Sequence, residues 1–159
     1  MDYIKKLRAA VGHEPVILNG AKVLVVDGQG RLLLQKRKDG YWDLPGGLME
    51  LGESLETTAR RELKEEANLE IGELKLLGVY SGSEYFVKLP NGDQYYAVTA
   101  AYVTSDFSGQ LQPDGVEGVE LRFWGRDTMP DRINPKMRAI IKDFHSDCGN
   151  VRKRPLNMR

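Results

Sequence analysis

A chain of 159 residues is sized for one domain around one buried core. Its 23 Lys and Arg balance its 23 Asp and Glu, so no global field draws it to nucleic acid or an anionic membrane, and any polyanion has to be held locally. The single cysteine, Cys148, excludes an internal disulfide and fits a reducing, cytoplasmic compartment, and no stretch is apolar and long enough for a membrane span or a secretory leader.

Residues 3–11 place Ile4, Leu7, Ala10 and Val11 at helical spacing, which predicts a short amphipathic helix ended by Gly12. This helix could mediate a homodimer or simply cover the sheet. Residues 21–27 (AKVLVVD) read as a buried strand and 31–38 as a second. Asp27-Gly28-Gln29-Gly30 between them has the glycines that a tight turn needs, so a hairpin is expected. Residues 54–67 form a helix capped by Ser54, with Glu56 in its first turn and Leu55, Ala59 and Leu63 on its core face. Further strands are expected at 74–81, 85–89, 94–104 and 119–125, with Pro90-Asn91-Gly92-Asp93 as a hairpin turn. A last helix over 135–145 starts at Pro135 and turns Met137, Ile140, Ile141 and Phe144 to one side. Antiparallel strands with helices packed on them predict an α/β (α+β) layered sandwich. A single domain over 1–148 is followed by a basic tail, 149–159, with Arg152, Lys153, Arg154 and Arg159. Such a tail reads first as a solvated terminus and second as a contact for RNA or phosphate. Cys148 reads as an incidental thiol rather than a nucleophile.

The middle helix carries the chemistry. Glu62 and Glu66 are four residues apart and stack on one face, and Glu65 borders it. Three carboxylates near the negative end of a helix dipole repel one another. A solvated acidic face is the ordinary reading of such a run. Bound hard cations such as Mg²⁺ or Mn²⁺ are the other, since oxygen donors suit them.

The wider segment decides between these. From Gly47 to Leu69 it resembles the Nudix box, G-x5-E-x7-R-E-U-x-E-E-x-G-U with U bulky and aliphatic. Gly47, Glu53, Arg61, Glu62, Leu63, Glu65, Glu66 and Leu69 fall on its places, a coincidence on the order of one in 10⁸ per window at average residue frequencies. Trp42-Asp43-Leu44-Pro45-Gly46-Gly47 is similar to the usual lead-in. One position departs: Asn68 stands where the box has its last glycine. A helix end there often needs left-handed backbone, which asparagine adopts next best, so the fold is expected to survive.

The resemblance implies a Nudix-type α/β/α sandwich with a mixed, mainly antiparallel sheet. It implies a metal-dependent hydrolase of diphosphate bonds in nucleoside diphosphate-X substrates. Glu62 and Glu66 would then be the principal metal ligands, joined by Glu65 and by the Gly46 carbonyl. Glu53 and Arg61 would pair to pin the loop carrying Gly47 to the helix. A glutamate beyond the box often completes such a site. Glu117 is favoured because it precedes a strand, and Glu120 is the alternative; either could be a solvated loop charge. Arg37 or Lys36 would grip phosphates, and strand alternation turns only one of them to the site. Asn134 resembles in position the base-reading asparagine of the 8-oxo-dGTP diphosphatases, and a helix-cap role explains it equally well. Tyr85 stands sixteen residues past the box, as in dinucleoside polyphosphate hydrolases. Trp42, Phe86 and Tyr96 could also stack on a base, though packing is the plainer role. Two alternatives stay beside the nucleotide hydrolase. One is removal of pyrophosphate from an RNA 5′ end; the other is a non-catalytic nucleotide sensor, which would tolerate degraded carboxylates.

Overall fold

The computed structural model describes residues 2–150, and side chains over 3–147. The elements run α1 (Asp2–Val11), β1 (Val16–Val25), β2 (Leu32–Arg37), β3 (Trp42–Asp43), β4 (Gly46–Leu48), α2 (Leu55–Ala67), β5 (Glu70–Ile71), β6 (Lys75–Tyr80), β7 (Phe86–Lys88), β8 (Gln94–Thr104), β9 (Phe107–Ser108), β10 (Gly118–Trp124) and α3 (Arg138–Asn150). A mixed sheet has the order β4-β1-β8-β6, and β7 also pairs with β8. Within it β1 and β8 are parallel and the other pairings are antiparallel. A second sheet has the order β10-β2-β3, antiparallel throughout.

Strand alternation explains why two helices flank these sheets. Ala21, Val23 and Val25 of β1, Leu33 of β2, and Ala100 and Tyr102 of β8 meet Ala59, Leu63 and Ala67 of α2 in one core. Leu24, Leu32, Leu34 and Ala101, one residue out of step, meet Met137, Ile140, Ile141 and Phe144 in the other. The layers are therefore α/β/α, as expected. No helix among the described residues is long and apolar enough to cross a membrane.

Several local expectations hold. Ser54 accepts a hydrogen bond from the Thr57 N–H (3.0 Å) and caps α2. The Leu89–Asp93 turn closes between β7 and β8. The expected hairpin at 27–30 needs correction: its turn forms, with Asp27 N–H bonded to the Arg31 carbonyl (3.0 Å), but pairing stops at a bridge between Val26 and Leu32. Beyond it β1 takes β4 and β8 as neighbours while β2 takes β3 and β10, so the two strands part into different sheets. β1 also begins at Val16, well before the expected 21. Tyr85 ends a 3₁₀ turn instead of starting a strand, and residues 135–137 make another before α3, which runs on through Asn150. The basic tail from 151 and the Cys148 side chain lie outside the described residues.

Candidate active site

The glycines of the lead-in let strand and helix approach. Gly46 has φ 146°, and a Cβ there would run into the Ala21 carbonyl. At Gly47 a Cβ would occupy the space of the Glu62 carboxylate. The Gly46 N–H donates to Glu66 Oε2 (2.9 Å), which fixes that carboxylate against the backbone of β4.

Arg61 is the hub of the box. Its Nε and Nη2 meet the two oxygens of Glu53 in a fork, the Nη2 contact being 3.0 Å. Nη2 also donates to the Leu48 carbonyl (3.0 Å) and Nη1 to Glu62 Oε1 (2.9 Å), with Glu65 Oε2 at 3.4 Å. Glu53 accepts further bonds from the Glu50 N–H and the Thr58 hydroxyl. The Arg61 fork above all, with those two donors, holds Glu53 down at about 2. Loop and helix are thus stapled through one charged, multiply bonded joint.

Glu62 and Glu66 are under-compensated. Glu66 is buried; burial first, with the nearby Glu62 and a hydrogen bond to Glu117, pushes it up to about 9 against the opposing Lys22 ammonium and Gly46 N–H. Glu62 is also raised, by burial more than by Glu65 and Glu117, despite Arg61. Glu65 is mostly exposed and, among the described residues, reaches toward Arg61. Glu117 sits beside Glu66, and its loop is built for that: Asp114 Oδ1 accepts from the N–H groups of Val116, Glu117 and Gly118 at 2.9–3.0 Å. Glu120 lies along β10 and pairs with Arg122 (2.8 Å). Glu62, Glu65, Glu66 and Glu117 all border one cleft.

These residues fit a divalent cation. Carboxylate oxygens are hard donors, and Glu66 and Glu117 sharing a hydrogen bond need a proton between them that a cation can replace. The set is not preassembled: among the described residues no three His, Cys, Asp or Glu side chains are gathered closely enough to hold an ion unaided.

A cavity of about 370 Å³ adjoins the cleft, within the size range of small-ligand pockets. Arg37, Asn134 and Tyr85 all line it, with Lys22, Asp43 and Tyr95. Strand alternation separates Arg37 from Lys36, whose ammonium lies 6.0 Å over the Trp42 ring. Trp42 is a core residue set edge-on to Trp124, and Phe86 and Tyr96 pack on each other. Asn134 does cap the 3₁₀ turn, its Oδ1 accepting from the Lys136 N–H (3.1 Å). Its Nδ2 donates to Asp43 Oδ2 (3.0 Å). A carboxylate can only accept and a backbone N–H can only donate, so the two partners fix which way the amide points.

Sequence reasoning missed the centre of that cavity wall. Asp43 takes Asn134, Arg37 (3.4 Å) and Lys22 (3.4 Å), and Lys22 also donates to the Leu44 carbonyl (3.0 Å). Burial would raise Asp43, but Lys22, Asn134 and Arg37 together hold it below its ordinary value. Burial would lower Lys22, but Asp43 and Glu66 hold it above. A lysine amid the apolar run of β1 was the available signal, because a buried ammonium needs an acid partner. Asp114, in a Pro-Asp-Gly turn, was also overlooked.

A NUDIX domain model matches residues 17–144, which span both cores and every carboxylate of this site. The chain belongs to the Nudix hydrolases. Among relatives of this Nudix hydrolase, a protein of Bacillus subtilis (strain 168) named a putative 8-oxo-dGTP diphosphatase is 32% identical over 133 residues, covering 83% of each chain. An ADP-ribose pyrophosphatase of Methanocaldococcus jannaschii is 30% identical over 145 residues, 89% of this chain and 78% of its own. An RNA pyrophosphohydrolase of Novosphingobium aromaticivorans is 29% identical over 137 residues, 76% of this chain and 84% of its own. In structure, a MutT Nudix hydrolase from Burkholderia pseudomallei aligns with a TM-score of 0.70 at 26% identity, over 80% of this chain and 98% of that one.

Proposed function

We propose that this Nudix hydrolase cuts a diphosphate bond in a nucleoside diphosphate-X type substrate, giving a nucleoside monophosphate and a phosphorylated X, with Mg²⁺ or Mn²⁺ as cofactor. One observation carries the reading: the under-compensated carboxylates Glu62 and Glu66, with Glu117 beside them, open on a cleft that is continuous with a cavity of nucleoside size. Glu62 and Glu66 would hold the cation, with Glu65 and the Gly46 carbonyl completing its oxygen shell. When bound, the cation supplies positive charge that neutralises diphosphate oxygens and makes water more acidic.

Other steps belong to the chain. Glu117, beside Glu66, takes the proton of the attacking water as general base. Arg37 meets a phosphate oxygen at the cavity mouth, where half of its side chain is still exposed. Asn134 offers the ring of the nucleoside an amide of fixed polarity, and Tyr85 a buried aromatic wall. Gly47, Glu53 and Arg61 keep the loop in place and make no contact with the reacting atoms. The compartment we propose is the cytoplasm.

The test is phosphate release with Mg²⁺ and with Mn²⁺. The substrates are ADP-ribose, diadenosine polyphosphates, 8-oxo-dGTP, common nucleoside triphosphates and 5′-triphosphorylated RNA, because the relatives' names span several of these. Turnover of one nucleotide well above the rest supports the reading and names X. Dominant turnover of the RNA favours the RNA pyrophosphohydrolase alternative, and silence throughout overturns hydrolysis. Glu117→Gln is expected to lose on the order of 10²-fold in kcat, with Glu120→Gln near wild type. The reverse pattern would move the base to Glu120.

A further inference from the structure

The opening segment is attached differently from everything else. Among the described side chains none of α1 belongs to either core, and Ile4, Leu7 and Val11 are only half-buried. Polar contacts to the start of β8 fasten it instead. Arg8 Nη1 donates to the carbonyls of Gly12 (3.1 Å) and Glu14 (2.8 Å), and Nη2 to that of Gln94 (2.7 Å). Its Nε lies 3.6 Å from Asp93 Oδ2, and the two side chains are only 12% and 15% exposed. His13 Nδ1 stands 2.7 Å from Asp93 Oδ1, and Gln94 Nε2 donates to the His13 carbonyl (3.2 Å). The receiving side is stiff: Asn91 bonds both the side chain and the N–H of Asp93.

These same parts wall the active site. Ile4, Arg8 and Asp93 border the cleft that also holds Glu65, Glu66 and Glu117. The cleft meets the nucleoside-sized cavity along Gly47, Leu48, Leu89 and Tyr95. With a nucleoside seated in the cavity, the rest of the substrate leaves the diphosphate along the cleft, toward α1.

We infer that Arg8 and Asp93 form a latch that sets the width of the cleft at α1, making them specificity-determining residues that disfavour a bulky X. This rests on the diphosphate reading above. Because α1 takes no part in the cores, opening the latch frees a local unit and leaves the domain folded. A small X, such as a terminal phosphate, fits within the wall; a second nucleoside needs the wall displaced.

The experiment compares Arg8→Ala and Asp93→Ala with wild type on a nucleoside triphosphate and a dinucleoside polyphosphate, with amide hydrogen exchange over residues 2–12 and Tm read in parallel. Both variants are expected to exchange faster in α1, to keep Tm close to wild type, and to raise the kcat/KM ratio of bulky to small substrate several-fold. One variant removes a cation and the other an anion, so a purely electrostatic effect would move the ratio in opposite directions and overturn the latch. An unmoved ratio despite faster exchange overturns it too, as does unchanged exchange. His13→Ala, whose ring is 65% exposed, is expected to move the ratio less, in the same direction. Wild-type silence across the whole panel above overturns the diphosphate reading itself and the selectivity with it, whereas wild-type turnover with an unmoved ratio, or turnover confined to substrates with a bulky X, overturns the latch alone.

Discussion

Asp43 and Glu66 are both buried carboxylates, and both are near Lys22, yet they sit on opposite sides of their ordinary proton affinities. Asp43 is surrounded by Lys22, Arg37 and Asn134, which outweigh its burial. Glu66 has only part of Lys22 and one backbone N–H to set against burial, Glu62 and Glu117. The first region carries its counter-charge within the fold; the second lacks it. A completed charge cluster shapes and orients a binding wall, whereas an incomplete one creates demand for an external cation. The two stand at the two ends of the short lead-in from Asp43 to Gly46, so under the proposed function one loop joins recognition to chemistry.

The strongest way to break this comparison is Glu66→Gln. An amide keeps the shape and removes the charge, so activity with either metal is expected to fall on the order of 10³-fold, about 4 kcal/mol of barrier. Without metal this carboxyl, pushed up to about 9, is already protonated and uncharged at neutral pH, so Tm measured in chelator should stay close to that of wild type. A large fall in Tm would mean that the ionised carboxylate was stabilising, and the contrast with Asp43 would collapse.

Asp43→Asn tests the other side. It strands a buried ammonium and releases the Asn134 amide, for an expected loss of about 3 kcal/mol in stability by denaturant unfolding. Where the variant remains folded, KM should rise more than kcat falls, since Asp43 lines the proposed nucleoside cavity and does not border the cleft of Glu62 and Glu66. Loss confined to kcat would place Asp43 with Glu66 instead.

Much of this was legible in the chain and some was not, for physical reasons. The helix α2, its Ser54 cap and the stacking of Glu62 on Glu66 are local, and period and spacing reveal them. The partnership of Glu117 with Glu66 was legible only through the family pattern, since a gap of some fifty residues separates them. Lys22, Asp43 and Asn134 come from three distant segments, and no local rule brings them together. The parting of β1 from β2 is likewise tertiary: the turn at Asp27–Gly30 forms as its residues demand, but each strand finds a better neighbour elsewhere. The first half of β1 contains Asn19-Gly20, a pair that signals a turn in isolation and here lies inside a paired strand.

A third carboxylate sharpens the contrast at smaller cost. Glu53 resembles Asp43 in having its counter-charge within the fold, and Glu53→Gln should cost about 2 kcal/mol by weakening the Arg61 fork. The sign of its pH dependence follows from the direction of the shift. The folded value near 2 lies below the ordinary carboxylate value of 4.5, so the stabilisation is complete above the latter and is lost as pH falls toward the former. Wild type should therefore lose more stability than the variant between about pH 5 and pH 2. Parallel curves for the two proteins would count against the fork as the cause.

The smallest expected effect is a control that touches neither cluster. Asn68 ends α2 at φ 59° and ψ 34°, the only positive φ among the described residues other than glycine. Its N–H bonds the Lys64 carbonyl (3.1 Å) and its Nδ2 the Gln110 carbonyl (3.0 Å). Asn68→Ala meets the steric cost of left-handed backbone and loses the side-chain bond, for about 1 kcal/mol and a Tm lower by about 3 °C. Asn68→Gly relieves the backbone, loses the same bond and loosens the unfolded chain, so it should fall within about 0.5 kcal/mol of wild type. Neither change moves Glu62 or Glu66, so kcat should hold in both. If kcat fell with Asn68→Gly while Tm stayed put, the helix end would be aiming the carboxylates, and the Glu66 cluster would depend on α2 register as well as on missing counter-charge.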